Sequence, residues 1–208
     1  MSTTTLVPLR ERKRLETWAT LHEAAASLAL AHDGPNGVTV DEIVERANVC
    51  ARTFFNYFDT KEDAILGFSE PRIDDKSLAA FCASTEPLTN RVADFYFDVV
   101  QNSRTSGMGR QRRVEIIRRH PELANRQMTH FAQVEKLVRD EVVEHLPSQA
   151  LPTKDLTVEE FAEALVVAST SAHRIAVRRS TPTSTDIDDR AAMHRALSQL
   201  REATQHIQ

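Results

Sequence analysis

Arg52, Thr53, Asn56 and Tyr57 fall within six residues and carry side chains suited to nucleic acid. An Arg fork pairs with guanine O6 and N7, and an Asn amide pairs with adenine N6 and N7. A Tyr hydroxyl or a Lys ammonium suits a phosphate oxygen, as do the backbone N–H groups of a helix start. Thr39, Thr60 and Lys61 all stand at predicted helix starts, which makes them candidate phosphate clamps. No comparable set supplies catalysis. The eight His are scattered, with no HExxH and no close ligand pairing, and the two Cys, Cys50 and Cys82, form no CxxC. No catalytic residue, metal site or cofactor is expected.

The elements that must position those side chains are legible from local signals. Leu15, Trp18, Ala19, His22, Ala25, Ala26 and Ala29 recur at three and four, so residues 11–32 read as a helix. Asp33-Gly-Pro-Asn-Gly37 ends it. Thr39-Val-Asp-Glu42 is a capping box for a short helix. Asn48 follows, and Asn tolerates the positive φ of a tight turn. Residues 50–57 read as a second short helix, with Phe54 and Phe58 facing the core. Thr60-Lys-Glu-Asp63 caps a further one. Two short helices joined by a tight turn after a long helix make a helix-turn-helix, whose second helix enters the major groove.

Charge gives this reading only local support. The net charge is −4, and through residue 67 seven Lys/Arg face ten Asp/Glu, a balance of −3. Arg10, Arg12, Lys13 and Arg14 read as a basic arm just before the first helix, with Arg12 and Arg14 as phosphate contacts.

The run from Thr39 to Leu66 resembles, without gaps, the DNA-binding signature of the tetracycline-repressor (TetR) family. Its stretch Thr53-Phe-Phe-Asn-Tyr-Phe-x-x-Lys61 is the most specific part. The family usually has Gly at Asn48, Ser at Cys50 and a phosphate-contacting Tyr at Phe55. Tyr57 stands where the family has His or Tyr. The resemblance implies a homodimer on a palindromic double-stranded DNA operator. It also implies a C-terminal domain that binds a small molecule and dimerises through its last two long helices. Cys50 reads as a stand-in for the capping Ser; oxidation of a thiol at a helix start is the other reading.

Beyond residue 70 the predicted helices lengthen: 87–104, 107–119, 121–146, 157–179 and 186–206. Five Gly in 208 residues and no strand-like alternation fit an all-α chain. The expected division is a helix-turn-helix domain at 1–67 and a helical ligand-binding and dimerisation domain at 68–208. Candidate pocket residues are Phe81, Phe95, Met108, Ile117, Met128, Phe131, Phe161 and Leu165, with His173 as the polar lining group. Each alone also reads as plain core. Phe161, Leu165, Ala168, Ala172 and Ile175 form one stripe, and Met193, Leu197 and Leu200 another. Packed across a two-fold axis these would make a four-helix dimer interface; packing within one chain is the other reading. Arg110, Arg112, Arg113, Arg118 and Arg119 read first as a solvated helix face, and second as an anion-attracting patch.

No apolar run reaches membrane-spanning length and Met1 to Pro8 lacks the apolar stretch of a signal peptide, so a cytoplasmic protein is expected. The functional expectation is a transcriptional regulator, most simply a repressor released from its operator by a ligand. The alternatives are a regulator controlled by a protein partner without a small-molecule pocket, or a helical enzyme.

Overall fold

The computed structural model describes residues 9–32, 34–104, 110–146, 151–179 and 186–205. Among these residues the architecture is all-α, with ten α-helices, one 3-10 turn and a single isolated β-bridge between Phe68 and Arg104. The chain divides into two compact units. The first comprises Met1–Glu70 with Arg104–Met128, and the second Pro71–Ser103 with Thr129–Gln208.

The first unit is built on helix α1 (Leu9–Ala31). Its Ala-rich second half has high helix propensity and presents little bulk, so neighbouring helices approach closely. Trp18, Leu21, Ala25, Ala26 and Ala29 are buried there. The chain leaves α1 through a 3-10 turn (Pro35–Gly37) and enters α2 (Val40–Ala47). The expected capping box forms: Glu42 N–H donates to Thr39 Oγ1 (3.2 Å) and Thr39 N–H to Glu42 Oε2 (2.8 Å). Helices α3 (Ala51–Phe55) and α4 (Lys61–Leu66) complete the N-terminal part. Helix α7 (Arg110–Arg119) and the first residues of α8 (Leu123–His145) join them, because Ile116 and Leu123 are buried in the same core. This unit therefore extends beyond the 1–67 expected for the first domain. Its added segment comes from mid-chain, where sequence adjacency gives no warning.

The second unit holds α5 (Asp75–Ala83), α6 (Leu88–Asn102), the remainder of α8, α9 (Val158–Arg179) and α10 (Asp186–Gln205). The sequence pattern assigns no helix to residues 70–86. Helix α5 forms there on an Asp cap, with Ser77 N–H donating to Asp74 Oδ1 (2.7 Å) and Asn102 also donating to Asp74. One core cluster stacks Phe81 on Phe95 (4.9 Å between centroids), among Val92, Tyr96, Val134, Val138 and Leu165. A second cluster joins Ala93 and Phe97 of α6 to Ala172 and Ala176 of α9 and to Met193, Ala196 and Leu197 of α10. Arg190 of α10 lies over the Phe97 ring (4.5 Å) and pairs with Asp94 (2.8 Å) and Asp98 of α6. His194 adds a bond to Asp94 (2.8 Å).

One buried contact in the first unit makes its stability depend on pH. His22 of α1 is buried, and its Nδ1–H donates to the Ala64 carbonyl of α4 (2.5 Å). Its Nε2 is buried without a hydrogen bond and faces Gly67, the left-handed C-cap of α4 (φ 68°). A Cβ at Gly67 would stand 2.7 Å from the imidazole, so that position excludes side chains twice over. Burial, opposed in part by the Ala64 bond and aided by nearby Arg113 and Arg112, lowers the His22 pKa to about 4. The folded chain keeps the ring neutral where the unfolded chain, titrating near 6.5, takes up a proton. The contribution is whole above pH 6.5 and is lost as pH falls toward 4, a loss of about 3 kcal/mol. Melting temperature measured between pH 7.5 and 4 should fall in the wild type. The slope should be shallower in His22→Phe.

Candidate nucleic-acid interface

Helix α3 is five residues long and cannot hold itself in water. Packing orients it. Phe54 and Phe58, four residues apart, are buried against α1: Trp18 meets Phe58 at 5.4 Å between centroids, and Phe54 meets Phe58 at 5.7 Å. The turn into α3 depends on Asn48, which takes φ 53° and ψ 48°, the left-handed conformation that Asn tolerates better than branched residues. Val49 N–H closes that turn on the Val44 carbonyl (3.0 Å). Cys50 occupies the N-cap without a side-chain cap bond, as its replacement of Ser implies. Its sulfur lies 3.3 Å from Thr53 Oγ1, and that hydrogen bond is the largest influence lowering the thiol pKa.

With the inner stripe fixed, Ala51, Arg52, Phe55 and Asn56 form the exposed face. These positions are spaced three and four apart, so they are neighbours on one side of the helical turn. Of the four side chains expected to face outward, Arg52 and Asn56 do so fully. Thr53 and Tyr57 are half-buried; Thr53 bonds Cys50, and Tyr57 packs against the first core. Helix α3 ends at Phe55, two residues earlier than expected, with Asn56 as its C-cap. A large apolar side chain on this face is Phe55, 59% exposed. In the sequence it reads only as the loss of the family's phosphate-contacting hydroxyl, although its spacing of three from Arg52 already set it on the outward face.

The expected phosphate clamps are engaged within the protein. The Thr39 hydroxyl belongs to the capping box, and it also donates to Glu42 Oε2 (2.8 Å). The Thr60 hydroxyl donates to Asp63 Oδ2 (2.7 Å) and accepts from Asp63 N–H (3.2 Å). Lys61 Nζ donates to the Val38 carbonyl (2.9 Å), which ties α4 to the start of α2. An ammonium has three donors, so Lys61 keeps two for other partners. The basic residues at 10–14 are not an arm ahead of the first helix. The helix begins at Leu9, because Arg and Lys are themselves good helix formers. Arg12 there forms an exposed i,i+4 pair with Glu16 (3.6 Å), and Arg14 is half-buried.

Arginines from the mid-chain segment set α4 and α1 in place. Arg126 of α8 grips the buried Asp63 with two bonds, 2.7 Å to Oδ1 and 2.6 Å to Oδ2. Arg113 of α7 is buried, donates to the Leu66 carbonyl at the end of α4 (2.8 Å) and covers the Phe68 ring. Arg112 donates to Glu23 (2.5 Å) and Ser27 (2.7 Å) of α1. The reading of this cluster as a solvated face holds for Arg118 and Arg119, which share exposed contacts with Glu115. It fails for Arg112 and Arg113, since α7 turns that side onto α1 and α4.

The candidate pocket residues divide between the units. Phe81, Phe95, Phe131, Phe161 and Leu165 share one cluster of the second unit. The His173 ring is buried beside Tyr96 (5.8 Å), Phe97 (6.2 Å) and Phe131 (6.2 Å). Ile117 instead packs on the core of the first unit, and Met128 is 69% exposed and also belongs to the first unit, so neither joins them. Met108 lies outside the described residues. The candidate dimer stripes divide similarly. Ala172, Met193 and Leu197 are buried inside one chain, where α6, α9 and α10 meet, and are closed to a partner. Phe161, Ala168, Ile175 and Leu200 remain half-exposed. The sequence also hid one surface group: Glu141, Glu144 and His145 bring ligand atoms within 4.8 Å of one another on α8. No helix among the described residues is long and apolar enough to cross a membrane.

Residues 23–65 match the family described as bacterial regulatory proteins, tetR family, and residues 87–205 match the MftR C-terminal domain. Among solved structures, the chain is similar to a Clostridium perfringens protein described as a candidate fatty acid metabolism regulator. The identity is 17% and the TM-score 0.40, over 86% of this chain and 97% of that one. No curated protein matches.

The Asp63–Arg126 pair can be tested directly. Arg126→Ala leaves a buried carboxylate without its cation and should cost about 2 kcal/mol, reduced from a fully buried pair by the partial exposure of Arg126. In a double-mutant cycle with Asp63→Asn, read by chemical denaturation, the two losses should sum to more than the double variant shows. Additive losses would mean that the pair contributes no coupling.

Proposed function

The chain belongs to the tetR family of bacterial regulatory proteins, and from that premise we propose a repressor that binds a palindromic operator as a homodimer and is released by a small-molecule ligand. A helix-turn-helix transcription regulator is what the family implies. The observation that carries operator reading is the exposed face of α3, where Arg52 and Asn56 stand outward while the opposite face is fixed to the core.

In this reading Arg52 pairs with guanine and Asn56 with adenine in the major groove, and Thr53 and Tyr57 border them. Lys61, at the start of α4, contributes a phosphate contact through its two remaining donors, together with Arg12 and Arg14 of α1; Thr39 and Thr60 each contribute one by giving up their bonds to Glu42 and Asp63. In this reading the DNA contacts lie within residues 1–67, and ligand binding with dimerisation falls to the part of 68–208 that forms the second unit. An apolar ligand with one hydrogen-bonding group suits the aromatic surroundings of His173, formed by Tyr96, Phe97 and Phe131, together with the core cluster of Phe95, Phe161 and Leu165 that Tyr96 and Phe131 share. The ligand releases DNA if it prefers a dimer geometry in which the two recognition helices no longer match the half-site spacing.

The dimer surface is the outer side of α9. Val167 is 53% exposed there, and Ala164, Ala168, Ser171 and Ile175 continue the same stripe at helical spacing. Small residues at that spacing let two helices approach closely across a two-fold axis. Half-exposed Phe161 and Leu200 flank it.

Two measurements test this reading. In gel shifts with an operator selected from a random DNA pool, Arg52→Ala and Asn56→Ala should each weaken binding about tenfold or more and relax preference at one position. Lys61→Ala should weaken all sequences alike. Unchanged operator affinity in Arg52→Ala would remove the readout assignment. Separately, Val167→Lys should shift sedimentation from dimer to monomer while leaving the helical circular dichroism signal intact. A dimer that persists in that variant places the interface elsewhere.

A further inference from the structure

We propose that Phe55 is a specificity-determining residue that packs its ring on the 5-methyl group of a thymine in the operator. The inference rests on the reading of α3 as the recognition helix and goes beyond the polar contacts that reading assigned. Three observations carry it. Phe55 is the largest apolar surface on α3, 59% exposed, while Phe54 and Phe58 on the same short segment are buried. It stands between Arg52 and Asn56 at spacings of three and one, on the face those two residues share. Its ring meets Phe54 edge-on at 5.3 Å, so the buried neighbour supports one edge and the rest is open.

The chemistry narrows the occupant. A phenyl ring has no hydroxyl to offer a phosphate and no donor or acceptor for a base edge. Along the major groove the one apolar feature is the thymine methyl. Leaving a phenyl ring in water costs free energy that contact with a methyl group recovers, and a cytosine or purine at the same step offers nothing equivalent. An Arg and an Asn beside the ring fix its register, so the thymine lies next to the positions those two read. Phe55 is therefore suited to discriminate thymine from cytosine at a step where Arg52 and Asn56 make no hydrogen bond.

The test removes only the methyl. The operator is first selected from a random duplex pool with the full-length protein. Each thymine is then replaced singly by uracil, and affinities are measured for wild type, Phe55→Ala and Phe55→Leu. At one thymine per half-site the replacement should weaken wild-type binding about fourfold, the loss expected for one buried methyl group. Phe55→Ala should bind thymine and uracil operators within about twofold of each other, and Phe55→Leu should fall between. Phe55 is exposed, so both variants should melt with the wild type. Specific binding that no uracil replacement weakens overturns the proposal, as does a uracil effect of equal size in Phe55→Ala. Failure to enrich any sequence overturns the operator-binding reading itself and is told apart by that first step.

Discussion

Phe54 and Phe58 bury one side of α3 against Trp18, and a helix of five residues has no other means of keeping its orientation. One turn of helix fixes several dihedrals for very few hydrogen bonds, so its stability has to come from tertiary packing. The exposed face is then the complement of the buried one. Arg52, Phe55 and Asn56 point outward because Phe54 and Phe58, four residues apart and so on one face, point inward. The same constraint explains why Thr53 and Tyr57 are only half-exposed, since they lie on the flanks of the buried stripe.

The rings need a floor, and α1 with α4 supplies it: Leu21, Ala25, Ile65 and Leu66 are buried in the same core, and buried polar contacts reinforce them. His22 holds the Ala64 carbonyl, Arg113 holds that of Leu66, and Arg126 holds Asp63. Asp63 also receives the Thr60 hydroxyl, so one carboxylate holds the capping hydroxyl of α4 and anchors the helix to α8. Such groups stabilise only as a satisfied set, because removing one partner leaves another buried and unpaired. Several acidic residues of this unit are occupied in this way. Glu42 is bound in a capping box, Asp63 by Arg126 and Glu23 by Arg112. The formal charge therefore overstates how much negative potential those three groups present to a phosphate backbone.

What could be read in the sequence was local. The Thr39 capping box, the Asn48 turn, the Thr60 cap and the buried Phe54 and Phe58 are each decided within a few residues, and each has the expected form. What could not be read depends on partners far along the chain. Arg112 and Arg113 look like a solvated cluster until α7 lies on α1. Ala172, Met193 and Leu197 look like a dimer stripe until α6 covers them. Ile117 and Met128 carry apolar side chains in the right span, yet both belong to the first unit. Phe55 reads in the sequence only as a lost phosphate-contacting hydroxyl; that its ring is left exposed follows from Phe54 and Phe58 taking the inner side.

A short recognition helix also limits what one copy can do. It presents three large outward side chains, and each good base contact discriminates by about 1–3 kcal/mol. Two bidentate contacts at that value and one methyl contact of about 0.8 kcal/mol give roughly 3–7 kcal/mol, so one copy enters the roughly 4–10 kcal/mol that separates specific from non-specific DNA binding only when each contact is near its best. A strongly basic surface could raise affinity, but it would do so for every sequence. This unit, with 14 Lys/Arg against 13 Asp/Glu over residues 1–70 and 104–128, is close to neutral and is not built for that route. Doubling the reading face adds specificity without adding general affinity. On the operator-binding reading, the outer stripe of α9 is therefore a requirement of the recognition chemistry as much as a feature of the C-terminal half. A variant that stays monomeric should lose sequence preference before it loses its fold.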